Sequence, residues 1–355
     1  MLIEVEKESI TIKDIAEKAQ VSTGTVDRVL HQRSDVSEKT RSRVLKIIDE
    51  LGYKTNIIAK TLASKKQIVF SSLIPDEDIH STYWKKPLEG IQKAQNEYAN
   101  YGVQLKSHFF SVHDKDTFEE QAHQILVEKP KGVILAPIFQ KEALDFVHQL
   151  KLHSIPYVFL DSLLEADQES KGYVGHDSFQ SGKVAARLID NRIENTDNVL
   201  LINLAINPSN QNHLNQRTQG FRSYFGNKER IGSIIEVDIN NLDDSFVKTK
   251  LDHVFKSVSE IKAVFVTSSK VHIVAKYLYE QKHVREVVLV GYDLISENRK
   301  MLKAGFIDYV ICQNPEEQGY RSFEKLFQNV VLQQNTKKET FLPINIVIRE
   351  NEMYN

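Results

Sequence analysis

The 355-residue sequence has a single cysteine, Cys312, and a single tryptophan, Trp84. One thiol cannot build an internal disulfide framework, so a reducing, cytoplasmic compartment is the expectation, with Cys312 as a small buried hydrophobe. No run approaches the roughly 20 consecutive apolar residues of a membrane span. The opening "MLIEVEKES" lacks the apolar core of a secretory leader. No strand-like run is followed by a G-x-G-x-x-G or Walker-type glycine loop, so nothing recommends a dinucleotide, a nucleoside triphosphate or another cofactor. The histidines show no metal-ligand spacing, and no serine sits in a nucleophile elbow. Neither a metal site nor catalysis is expected.

What remains is an ordinary globular composition, 41% hydrophobic and 26% charged, with a formal net charge of −2. The length suffices for two or three domains. The charge is unevenly placed. Ile10 to Lys66 carries 12 Lys+Arg against 7 Asp+Glu, so a basic head precedes a body that must be acidic. A polyanion partner for the head alone is one reading, and an ordinary solvated surface is the other.

Three helices can be read in the head. "TIKDIAEKA" puts Ile12, Ile15, Ala16 and Ala19 on one face behind Thr11 as N-cap. "STGTVDRVL" follows almost at once, capped by Ser22. "SEKTRSRVLKIIDELGY" starts at Ser37 and stops at Gly52, with Val44, Ile47, Ile48 and Leu51 inward. Two short helices on a tight turn plus a bracing third make a helix-turn-helix pattern, whose second helix lies in the DNA major groove. Thr23, Gly24 and Thr25 are small enough for close approach, and Arg28 can fork to guanine or to phosphate. A structural three-helix cap, or a head that contacts protein, is the alternative. After "YKT", a helix from Asn56 would be too short to stand alone in water and needs a partner, a groove or the body.

The stretch "TIKDIAEKAQVSTGTVDRVLHQRSDVSEKTRSRVLKIIDELGYKTNIIAKTLASKK" resembles the headpiece and hinge of the lactose/galactose-repressor family of bacterial transcription regulators, with many spacings agreeing at once. The resemblance implies that Thr23, Gly24 and Arg28 read bases, with Thr11, Ser22 and Thr25 in the same DNA-facing set. It also implies a hinge helix with Asn56, Ala59 and Leu62, paired across a homodimer, with Leu62 wedged into the minor groove of double-stranded operator DNA. Gly24 and Asp27 depart from the larger polar residue and the small residue common at those positions.

From Gln67 onward, short β-branched runs alternate with amphipathic helices in two series. That pattern predicts an α/β body of two lobes, each a doubly wound parallel sheet. Ligands of such sheets bind beyond the carboxyl ends of the strands. The polar residues there are Asp161 after "YVFL", Ser268 and Ser269 after "AVFVT", Asp293 after "VVLVGY" and Gln313 after "DYVIC". Arg217 is expected at a helix start, and Tyr83 and Trp84 open the first helix of the body. Aromatic faces with carboxylates, an arginine and an amide suit a neutral polyhydroxylated ligand. Taken singly, each aspartate could instead cap a helix, and Trp84 could be core.

"GHDSFQSGKVAARLI", "RTQGF", "VLVGYD", "VICQNPEEQGYRSFEKL" and "LPINIVIREN" resemble the periplasmic sugar-binding-protein fold used by these repressors, and "STYWKKPLEGIQKA" resembles its ribose-binding branch. That implies a small sugar-like effector contacting Tyr83, Trp84, Asp161, Arg217, Ser268, Asp293 and Gln313. Ser162 stands where arginine often follows the aspartate. The expected organisation is a tail over 1–9, a helix-turn-helix domain over 10–54 and a hinge over 55–66. The effector and dimerisation domain spans 67–355, with an N-lobe of about 67–173 and 311–335 and a C-lobe of about 174–310 and 336–355. The expected function is a dimeric repressor of sugar-utilisation genes. No leucine-heptad tail follows "VIREN", which favours a dimer over a tetramer.

Overall fold

The structure is a computed structural model. It describes residues 11–30, 33, 35–51, 67–77, 82–164, 167, 169–205, 212–226, 228, 232–282 and 286–355. The expected hinge residues Asn56, Ala59 and Leu62 lie outside the described residues. The chain divides into two units, Met1–Ala63 and Ser64–Asn355.

In the first unit, α1 (Ile12–Ala19) begins with a capping box. The Asp14 amide donates to Thr11 Oγ1, and the Thr11 amide donates to the Asp14 carboxylate at 2.6 Å. Gln20 ends the helix in the left-handed region at φ 51°. A short turn leads to α2 (Thr23–Leu30), where the Thr25 amide donates to Ser22 Oγ, and then α3 (Glu38–Leu51) is capped in the same way by Ser37. Ile15, Ala16, Ala19, Val26, Val29, Val44 and Ile47 form one small core. The inward residues of all three helices follow the 3.6-residue period, and α2 buries Val26 and Val29 with Leu30 packed partly against the same core.

The second unit holds two six-stranded sheets. The first contains β1 (Ile68–Pro75), β2 (Val103–Phe110), β3 (Gly132–Leu135), β4 (Tyr157–Asp161), β5 (Gly172–Gly175) and β11 (Glu339–Phe341), in the order β11-β5-β4-β3-β1-β2. The second contains β6 (Asn198–Leu204), β7 (Ile234–Ile239), β8 (Ile261–Val266), β9 (Val288–Tyr292), β10 (Tyr309–Cys312) and β12 (Asn345–Val347), in the order β12-β10-β9-β8-β6-β7. Every pairing is parallel except β10 with β12. Central strands such as β4, β5 and β9 are buried throughout and read as unbroken apolar runs, whereas the edge strands β2 and β7 mix exposed and buried positions.

The helices of the first lobe are α4 (Lys85–Tyr98), α5 (Lys115–Glu128), α6 (Gln140–Leu152) and α12 (Pro315–Val330). Those of the second are α7 (Ser178–Asp190), α8 (Asn212–Gly226), α9 (Asp244–Ser257), α10 (Val271–Glu280) and α11 (Ser296–Lys303). Glycines set the closest helix contacts. A Cβ at Gly182 of α7 would overlap the Arg217 carbonyl oxygen of α8, and one at Gly220 would overlap that of Phe179. Gly90 and Gly319 play the same part between α4 and α12.

Strand pairing redraws the expected lobe borders. Val174 and Gly175 pair with β4 in the first sheet; Ile311 pairs with β9, and β10 as a whole belongs to the second; 339–341 pair with β5 in the first. The chain therefore crosses between lobes at 175–178, 312–315 and 341–345. A four-residue apolar run carries no mark of which sheet it joins; the neighbour that completes its hydrogen-bond ladder decides.

Candidate functional site

Two strand ends and one helix build the centre of the cleft between the lobes. Asp161 ends β4 at φ 68°, and Asp293 follows β9 at φ 63°. Both are in the left-handed region, which aspartate tolerates better than most residues and which costs backbone strain. Both carboxyls are buried. Arg217, 2% exposed, comes from the second turn of α8 and not from its start as expected. The polar segment before it gave no apolar pattern to mark that start, which lies at Asn212. The contact of Gly182 with the Arg217 backbone fixes its depth.

The guanidinium of Arg217 is held by the protein itself. It lies 3.8 Å from the Tyr292 ring centroid, and the Tyr292 hydroxyl is 2.8 Å from Ser181 Oγ. Nη1 donates to the Thr267 carbonyl and Nη2 to Gln313 Oε1, both at 2.7 Å. Gln313 Nε2 passes the chain on to both oxygens of Asp293 at 3.0 Å. Of the three guanidinium nitrogens, Nε is the one buried without a partner. On the opposite wall the Tyr83 hydroxyl donates to Asp161 Oδ1 at 2.5 Å, and Trp84 packs edge-on to Tyr83 at 5.3 Å.

Burial dominates the electrostatics. It pushes the Asp293 carboxyl up to about 7 against the pull of Arg217 and Gln313, and raises Asp161 against its hydrogen bond from Tyr83 and the charge of Arg217. Burial and the neighbouring carboxylates raise the Tyr83 phenol, while burial and Arg217 depress His213. The Cys312 thiol, pushed to about 12 chiefly by burial, is inert at neutral pH.

All seven residues expected at the cleft line one cavity of 120 Å³: Tyr83, Trp84 and Asp161 from the first lobe, Arg217, Ser268 and Asp293 from the second, and Gln313 at a crossover. Ser268 is less free than expected, since its hydroxyl donates to the Leu204 carbonyl at 2.7 Å and ties two strand ends together. Asp76, His113, His213 and Lys270 also line the cavity and were missed. Asp76 directly follows β1, so the strand-end rule could have found it. The supporting bond of Thr267 Oγ1 to Asn203 Oδ1, 2.9 Å, is long-range and left no signal in the sequence. No group of His, Cys, Asp and Glu among the described residues is arranged to hold a metal, and no described helix is long and apolar enough to cross a membrane.

On the head, Ser22, Thr23, Gly24 and Arg28 are exposed along one side of α2, and a Cβ at Gly24 would make only an ordinary 3.8 Å contact with Ser22 Oγ. The hydroxyl of Thr25 is 2.9 Å from Ser22 Oγ, so these two residues serve the cap. Thr11 is likewise engaged with Asp14. Arg28 Nε makes an exposed 3.0 Å ion pair with Asp35.

Residues 11–56 match the model of bacterial regulatory proteins of the lacI family, and residues 72–332 match that of a periplasmic binding protein domain. The chain belongs to the periplasmic binding protein domain family, with a lacI-family domain at its head. Catabolite control protein A of Priestia megaterium is 31% identical over 160 residues, 45% of this chain and 46% of that protein. The chain thus aligns with less than half of that relative's length. The ribose operon repressor of Lactococcus lactis is 23% identical over 96% of this chain and 97% of its own. A Bacteroides fragilis structure described as a LacI transcriptional regulator superposes with TM-score 0.74 at 26% identity, covering 82% of this chain and all of that one. The α1–α3 unit falls within the lacI-family match, and the two-lobed unit holds the match to the periplasmic binding protein domain.

Proposed function

We propose that this chain is a cytoplasmic transcriptional repressor of sugar-utilisation genes. It binds a pseudo-palindromic operator as a homodimer and takes a small sugar-like effector in the interlobe cleft. The observation that carries the reading is the convergence of Tyr83, Trp84 and Asp161 from one lobe with Arg217, Ser268 and Asp293 from the other on one cavity. The carboxylates accept from sugar hydroxyls, the buried Nε of Arg217 donates, and the aromatic rings cover C–H faces.

A ligand that touches both lobes binds their closed arrangement best, and that differential affinity is the only means by which it can shift the head between DNA-competent and incompetent states. On the DNA side Thr23, Gly24 and Arg28 face the bases. Ser22, Thr25 and Thr11 set the helix ends, and Asn56, Ala59 and Leu62 form the hinge. Arg28 exchanges Asp35 for guanine or phosphate at little cost, since an exposed ion pair contributes about 0–1 kcal/mol.

The test is a titration of the full chain with pentoses, hexoses and sugar acids, followed through the emission of Trp84. Saturation by one neutral class supports the cleft assignment; silence from every sugar overturns it. Steep loss of DNA affinity with rising salt distinguishes a DNA-binding head from one that contacts protein.

A further inference from the structure

We propose that the effector is a neutral two-ring sugar, whose second ring occupies a chamber next to the cleft, between β4 and β5 of the first lobe and α7 and α8 of the second. This rests on the reading of the cleft as a sugar site. The cleft cavity alone is 120 Å³, and the adjoining chamber adds 330 Å³ while sharing Asp161 and His213 as common wall. The cleft alone falls below the roughly 300–1,000 Å³ of small-molecule sites, and cleft and chamber together lie within that range.

The chamber has the chemistry of a sugar subsite. His176 is 3% exposed, and its ring has the Pro343 carbonyl as its one hydrogen-bond partner. Burial and Arg217 outweigh the bond to Pro343 and hold that imidazole neutral, its pKa lowered to about 4, so its N–H serves the Pro343 carbonyl and its other nitrogen is left to accept from a hydroxyl group. Its backbone is fixed by the Tyr173 hydroxyl, which reaches the carbonyls of both His176 and Asp161. Phe341, 49% exposed and edge-on to Tyr173, offers a ring face for sugar C–H groups. Gln219 lines the rim with an amide that is open to solvent.

Among the described residues no lysine or arginine lines this chamber, and two aspartates do, so a phosphate or carboxylate group on the second ring is disfavoured. A larger cavity of 1420 Å³ flanks the cleft on the other side. Its charges are largely spent on each other: Lys86 pairs with Glu89, and Arg321 with Glu317 and Glu324. It presents no partnerless buried nitrogen comparable to that of His176 among the described residues.

Calorimetric titration of the full chain decides the matter, using glucose, galactose and fructose against maltose, cellobiose, lactose and sucrose, with glucose 6-phosphate as the anionic probe. The expected result is one disaccharide binding at least tenfold more tightly than either of its component sugars, with no gain from the phosphate. Gln219→Trp fills the chamber from its exposed rim. It should abolish the disaccharide advantage and leave monosaccharide affinity within twofold, and Gln219→Ala should reduce the advantage without a change in thermal stability. Equal affinity for disaccharides and their components, or a disaccharide advantage that survives Gln219→Trp, overturns the second chamber while the cleft assignment stands. Tighter binding of the phosphate overturns the neutral ring. Absence of binding by every sugar overturns the cleft reading and the chamber with it.

Discussion

Effector affinity should depend on pH through Asp293. Its carboxyl is buried against Gln313 and near Arg217, with Asp161 facing it across the cleft, and it titrates at about 7. A sugar hydroxyl donates to the carboxylate and not to the acid, so binding favours the ionised form and releases a proton wherever the empty site is protonated. Affinity should be flat well above pH 7 and fall about tenfold per unit below it, giving about tenfold weaker binding at pH 6 and about 100-fold at pH 5. Calorimetry in two buffers of different ionisation enthalpy measures both the affinity and the proton release. Asp293→Asn should bind more weakly at pH 8 and lose most of this dependence. The sign for folding is opposite. A carboxyl whose folded pKa lies above its unfolded value of 3.8 adds stability only at low pH, and that contribution is lost as pH rises from about 4 through 7. The empty wild type should therefore lose thermal stability over that window relative to Asp293→Asn. An affinity that is level from pH 5 to 8 in the wild type would refute the reasoning, because it would mean that no carboxyl in the cleft titrates against the ligand.

Arg28→Ala should weaken specific operator binding by about 1–3 kcal/mol and leave nonspecific binding nearly unchanged, read by fluorescence anisotropy; equal specific affinity removes Arg28 from base reading. Leu62→Ala should cost specific binding more than nonspecific binding and reduce operator bending in a circular-permutation gel shift. Ser22→Ala removes the cap of α2 and should destabilise the head by about 0.5–2 kcal/mol in denaturant melts, with the effector domain unaffected. Gly182→Ala drives a Cβ into the Arg217 carbonyl and should both lower the melting temperature and weaken sugar binding, since α8 must retreat with its arginine.

Much of this was legible because parallel α/β sheets put their ligand groups in one predictable place. Asp161, Asp293, Ser268 and Gln313 were found simply as the polar residues that end apolar runs, and the structure gathers them on one cavity. The head was legible for a similar reason: its caps and its inward faces are local properties of short helices. What depended on distant partners was not. Nothing near Arg28 in sequence points to Asp35, and nothing near Thr267 points to Asn203. The exchange of β10 and β11 between lobes is set by ladders to residues more than ten positions away, and the burial of His176 shows only once its surroundings are packed.

The central claim is that sugar in the cleft and DNA on the head are energetically linked. The most direct measurement is the anisotropy of a labelled fragment, selected by this chain from a genomic library, titrated with the full chain in the absence and presence of a sugar that saturates the Trp84 signal. The account predicts a shift in operator affinity of about 5–150-fold, with its direction telling inducer from corepressor. Superimposable binding curves, with the sugar demonstrably bound, would contradict it.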